Sequence, residues 1–234
     1  MNLKKKKLIN KIIAGPNFDF VSIKNKKFFF SEIDYVVCNS KIHLDIVCKT
    51  APFLKKKLII CPVGVDAKFW HCKKKRKKNT VLIYIKKPKI DQLGKDINFD
   101  LYINYLKSLD YDVEMIIYGA YNHKQFKNKL SKSLLLVVFT SFESQGIAFA
   151  EAWASDVPTA IINVPYLNIG GKKTKTSSAP YLNSKNGFFF NDFEHFKIKF
   201  KNFILNINNF TPRSWVLSNM TDEIIVKKFI SLIK

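Results

Sequence analysis

Glu143 and Glu151 stand eight positions apart in the segment Glu143-Ser144-Gln145-Gly146-Ile147-Ala148-Phe149-Ala150-Glu151. An ionised carboxylate accepts paired hydrogen bonds from neighbouring hydroxyls, such as those of a sugar or a ribose. Between the two acids, Gly146 has no side chain and lets a ligand approach the backbone. A helix starting near Gln145 would leave its first amides unpaired, and with the helix dipole they make a seat for a diphosphate. The spacing therefore predicts an anion site on the backbone of Gln145 to Ile147. Glu143 lies just ahead of it, and Glu151 about two turns into the helix. The blander reading makes Glu143 a favourable charge at a helix start, worth a few tenths of a kcal/mol.

Such a site needs a strand before it and a strand after it. Leu134 to Phe139 is a continuous apolar run, and Pro158 to Ile162 is another. With a helix over 145–155 between them, they read as strand, loop, helix, strand at the mouth of an α/β sheet. The same alternation extends backwards. Strands are expected at 81–85 and 112–118, and helices at 97–108 and 122–133. Continuously apolar strands alternating with helices imply a parallel sheet covered on both faces. Residues 1–72 read as a shorter α/β piece with strands at 34–38 and 57–61. Ser40 is the expected N-cap of a helix over 41–50, which Ala51-Pro52 ends. The expected organisation is thus a partial α/β piece over 1–72 and a Rossmann-like domain over 73–234, joined through the basic run Lys73 to Lys78. Beyond the site, 163–185 reads as loop, within which Thr176 to Tyr181 is a flap over the ligand or an ordinary surface turn. Asn186-Gly187 is a tight turn before Phe188-Phe189-Phe190, and helices over 193–207 and 212–233 complete the chain. Trp153 reads as core.

Composition bounds the class. The chain is 47% hydrophobic and 14% aromatic, the make-up of a folded protein and not of a disordered tail. Its formal charge is +22, yet arginine occurs only at Arg76 and Arg213. That lysine excess reflects either skewed base composition or a surface drawn to anionic lipid, nucleic acid or phosphorylated substrates. No RNP, helix-turn-helix or zinc pattern supports nucleic acid. Cys38, Cys48, Cys61 and Cys72 show no C-x-x-C spacing, so reduced structural thiols in a cytoplasmic protein are expected. The opening Met1 to Gly15 begins like a signal peptide, but Asn10 and Lys11 break its apolar stretch.

The stretch Glu143 to Pro158 resembles the E-x7-E region of retaining glycosyltransferases with the two-domain GT-B fold, in particular the group 1 (family 4) transferases. Asp34-Tyr35-Val36-Val37-Cys38-Asn39-Ser40 is similar to that family's last N-domain strand. Pro62-Val63-Gly64-Val65-Asp66 with Phe69 is similar to its domain junction, and Asn186-Gly187-Phe188 to its turn after the donor site. Together these matches cover about residues 30–190. The resemblance implies that Glu143 holds hydroxyls of a donor sugar and Glu151 the ribose of its nucleotide. It also implies that the turn Ser144, Gln145, Gly146 and Ile147 meets the diphosphate. It places Lys86 and Lys87, directly after strand 81–85, beside the leaving diphosphate, where cations stabilise growing charge. In three places the chain departs from the family. Asp156 stands where glycine is usual, Ile85-Lys86 replaces Gly-Arg, and most of an N-terminal acceptor-side domain is missing.

The expectation is an α/β, GT-B-type enzyme, or its donor-binding part, that transfers a sugar from a nucleoside diphosphate sugar with retention. The donor is a substrate; no cofactor, metal or covalent nucleophile is implied. The acceptor would be a glycan or lipid-linked sugar, met with a partner subunit that supplies the missing domain. The location would be cytoplasmic, with peripheral contact at a membrane and no nucleic-acid partner. The rival is a non-catalytic remnant or subunit that binds nucleotide or polyanion.

Overall fold

The computed structural model describes residues 10–16, 31–72, 79–86, 97–169 and 171–233. Its first strands, β1 (Ile13–Ala14), β2 (Tyr35–Cys38) and β3 (Leu58–Ile60), pair in parallel in that order. Helix α1 (Lys41–Thr50) joins β2 to β3, and the Ser40 hydroxyl accepts from the His43 amide at 3.2 Å, as an N-cap should. A 3₁₀ turn over Pro52–Lys57 follows, with the proline at its start, where no donor is needed.

The larger sheet contains β4 (Thr80–Ile85), β5 (Asp112–Ile117), β6 (Ser133–Phe139), β7 (Thr159–Ile162) and β10 (Gly187–Phe190). All are parallel, in the order β10-β7-β6-β4-β5. Every residue of β6 is buried, as its unbroken apolar sequence requires in a sheet covered on both faces. Leu82, Tyr84, Leu136 and Val138 point to one layer, containing α3 (His123–Leu130), α4 (Ile147–Ala154) and α6 (Pro212–Asn219). Val81, Ile83, Leu135, Val137 and Phe139 point to the other, under α2 (Phe99–Lys107) and α5 (Phe193–Leu205). That second layer is aromatic: Tyr102 meets Phe139, Phe193 and Phe196 edge-on at centroid distances of 4.9, 5.1 and 5.2 Å. Burying each such ring contributes about 2–3 kcal/mol.

Two expectations need correction. The span 163–185 is not all loop, because β8 (Tyr166–Ile169) and β9 (Lys172–Lys175) form an antiparallel hairpin. Leu167 and Thr174 bury while their neighbours do not, an alternation of period two that the glycines and small polar residues obscured. The last helix is also two, α6 and α7 (Asp222–Ile233), broken where Val65 and Thr221 form an isolated parallel bridge. Helix α7 returns to the beginning of the chain, where Ile225 clusters with Val37 and Cys61. Asn186 lies in the turn expected before β10, but Gly187 is already strand. A Cβ there would sit 2.1 Å from the Thr159 carbonyl oxygen, so close approach requires the glycine.

Candidate functional site

Numbered along the chain, the larger sheet runs 2-1-3-4-5, so consecutive connections leave β4 and β6 on opposite faces. In open α/β sheets this reversal opens a crevice at the carboxyl ends of the two strands. Lys86 follows β4 and Thr140 follows β6, and the Lys86 amide donates to the Phe139 carbonyl at 3.0 Å. Glu143 sits in that crevice. Lys86 Nζ donates to its Oε1 at 2.8 Å and its Oε2 at 3.0 Å, and Thr140 Oγ1 donates to Oε1 at 3.0 Å. The Glu143 side chain is 10% exposed and that of Lys86 34%, so this is a half-desolvated pair, where geometry decides its worth. Lys86 Nζ also lies 4.9 Å from the centroid of the Tyr118 ring.

Glu151 enters from α4. It is buried, and desolvation pushes its carboxyl up to about 8. The exposed His123 imidazole stands beside it, with Nε2 3.8 Å from Oε1. Burial raises the Tyr121 phenol first, its bond with Tyr84 opposes the rise, and the Glu151 and Glu143 charges add to it. The Tyr121 hydroxyl donates to that of Tyr84 at 3.4 Å.

The turn between the acids is built from its glycine. Gly146 caps α4 with φ +83, and a Cβ there would come within 2.3 Å of the Phe149 ring. Both conformation and space exclude other residues. The helix accordingly opens at Ile147, two residues later than the expected Gln145, because a left-handed residue cannot lie inside it. Its first amides precede any i→i−4 acceptor and face the strand ends. Ile147 itself is exposed. At the other end Asp156 takes φ +62. Its amide bonds to Trp153 O at 2.9 Å, and that of Val157 to Ala152 O at 2.9 Å, a Schellman closure with aspartate where glycine is usual.

Gln145 and Ser144 are occupied elsewhere. The Gln145 amide pairs with both backbone groups of Val63: the Val63 N–H donates to Oε1 and Nε2 donates to the Val63 carbonyl, each at 2.7 Å. Ser144 Oγ accepts from Asn39 Nδ2 at 3.3 Å. The site turn is thus bolted to the first sheet, leaving its backbone, rather than its side chains, to face a ligand. Thr176 to Tyr181 is no free flap. The Ser177 carbonyl accepts from the Glu143 amide at 3.1 Å, Thr176 and Ser178 are buried, and the Tyr181 hydroxyl donates to the Asn39 carbonyl. Trp153 is core, its Nε1 donating to Thr159 Oγ1 at 3.0 Å. Lys87 lies outside the described residues.

Thr140, Tyr121, His123 and Asn39 were not singled out from the sequence. Thr140 could have been, since it follows a buried strand and precedes Glu143 by three residues. Asn39 bonds across 105 positions and carries no local signal.

Set against solved structures, this is the fold of GT-B glycosyltransferases. The HepE protein of Anabaena, in complex with UDP and glucose, superposes with a TM-score of 0.63 at 10% identity, over 92% of this chain and 67% of that one. The lipopolysaccharide outer core galactosyltransferase WaaB, in its apo form, gives 0.62 at 14% identity, over 99% and 70%. The GtfA/B complex gives 0.58 at 12%, over 88% and 46%. The chain spans about two thirds of the length of the first two. No protein-family model and no curated protein matches the sequence.

Proposed function

We propose that the chain binds a nucleoside diphosphate sugar at the β4/β6 crevice and supports transfer of its sugar with retention at the anomeric carbon. The observation that carries this reading is the Lys86–Glu143 pair at the switch point, with Glu151 buried on α4, the helix that follows the Glu143 turn. Without donor, each member of the pair neutralises the other. A bound diphosphate draws the Lys86 ammonium toward the leaving phosphates, and Glu143 is freed to accept hydroxyls of the sugar. Charge that grows on the departing diphosphate then meets Lys86, its neighbour Lys87 and the first amides of α4. Glu151 takes the ribose diol. Ribose hydroxyls donate to the ionised carboxylate, so donor binding expels a proton from a group that holds one up to about pH 8.

The similarity to HepE and WaaB supports a sugar-transfer fold. The acceptor, a glycan or lipid-linked sugar, would be met with a partner subunit that contributes the acceptor-side domain. That the chain superposes on part of a two-component assembly, the GtfA/B complex, supports this reading. The test is calorimetric titration with UDP, GDP and their sugars. Saturable binding that Glu151→Ala weakens and Glu143→Ala weakens for the sugar nucleotide but not for the bare diphosphate is the expected result. Equal binding by both variants and parent would remove the site assignment.

A further inference from the structure

Apart from the crevice, helix α3 presents a second surface. Its residues 124, 127, 128 and 131 recur at helical spacing on the side away from buried Phe126 and Leu130. Facing them is the junction segment Lys68 to Cys72, and the two enclose a hollow of about 610 Å³, within the size range of ligand pockets. Lys68, Lys124, Lys127 and His71 line it together with Asn128 and Ser131, and among the described residues no carboxylate does. Its floor includes the Phe69 ring, 37% exposed, with Lys127 Nζ 4.6 Å from the centroid. Asp66 turns away to cap the amides of Lys68 and Phe69 at 2.9 and 2.8 Å. Among the described residues no ion pair is found for Lys68, Lys124 or Lys127.

Gathered ammonium groups repel one another, and a concave wall concentrates their field. The Asn128 side-chain amide adds a neutral donor suited to phosphate oxygens, while the Ser131 hydroxyl donates to the Asn128 carbonyl at 2.7 Å. In sequence, Cys72 is followed by six consecutive basic residues, Lys73 to Lys78. We propose that this hollow receives the phosphoryl headgroup of an anionic bilayer, and that the chain docks on membranes through this face. A half-exposed aromatic ring beneath lysines fits the headgroup level of a bilayer, and clustered basic residues are what anionic leaflets attract. The docking is independent of the sugar-transfer reading.

The test is flotation of the full chain with vesicles of mixed phosphatidylglycerol and phosphatidylcholine, against phosphatidylcholine alone. The parent should float only with the anionic vesicles, and less as salt rises. Combined Lys68→Glu, Lys124→Glu and Lys127→Glu should lower partitioning roughly a hundredfold, as three cations each contributing about fivefold would. A control with the same change in net charge, Lys172→Glu, Lys175→Glu and Lys185→Glu, should retain most of the binding. Should the reversal variant fail to fold by circular dichroism, the milder Lys124→Gln with Lys127→Gln should still weaken flotation several-fold. Equal loss in the control would reduce the effect to net charge and overturn the assignment. So would absent flotation of the parent, or capture of an oligonucleotide through these lysines with no response to vesicles.

Discussion

Glu143 and Glu151 are both buried carboxylates, one ahead of α4 and one within it, yet the fold treats them oppositely. Glu143 is met by an ammonium and a hydroxyl within 3.0 Å, so its charge is balanced where it sits. Glu151 lies inside an almost wholly apolar helix, with a histidine at 3.8 Å, and burial holds its proton up to about pH 8. A site can keep an acid ready in two ways: with a partner that ligand displaces, or with a desolvation that ligand relieves. The first suits a group that works beside reacting atoms, the second one that reports arrival of a substrate.

Several substitutions would break or sharpen this contrast. Glu143→Ala should lower turnover of a sugar nucleotide by about 10²–10³-fold while leaving diphosphate affinity nearly intact, as loss of a group acting on developing charge does. Steady-state kinetics of sugar-nucleotide turnover, with calorimetric titration of the bare diphosphate beside it, would check it. Gly146→Ala must both leave φ +83 and push on the Phe149 ring, which should cost about 2–4 kcal/mol. The melting temperature should fall on the order of 10 °C.

Glu151→Gln should weaken donor binding about tenfold to a hundredfold, the worth of a charged hydrogen bond. It should also stabilise the free protein in alkaline buffer. The Glu151 carboxyl is raised from 4.5 unfolded to about 8 folded, so its contribution is complete below about pH 4.5 and is lost as pH rises through about 8. Denaturant melts of the parent should therefore lose on the order of a few kcal/mol across that window relative to Glu151→Gln. Donor affinity should run the other way, rising up to about tenfold per pH unit below 8 and levelling above it. An affinity that falls with pH would mean the ribose meets the protonated acid. The smallest effect belongs to Asp156→Gly, which relieves φ +62 and loses a long contact with the Arg213 amide. A change in stability within about 0.5 kcal/mol is expected by thermal denaturation.

Local features of the sequence carried far. β6 announced itself by the unbroken apolar run Leu134 to Phe139, and Ser40 by its place between strand and helix. Glycine and proline punctuation located the turns. What local reading could not reach were pairings between distant positions. Gln145 was read only through its backbone amide, and nothing local showed that its side chain pairs with Val63, 82 positions away. The β8–β9 hairpin was hidden because β9, Lys172-Lys173-Thr174-Lys175, resembles surface loop. The break before α7 answers to a bridge at Val65 that helical periodicity does not encode.

The return of α7 to the first sheet has a practical consequence. The Cys61 thiol is buried beside Ile225, and burial raises its pKa while Lys228 of the same helix opposes the rise. A thiol reagent can reach that sulfur only when the packing around it opens, and the terminal helix is one wall of that packing. Labelling kinetics at Cys61 thus provide a clock, already present in the natural chain, for how often the last residues release the first.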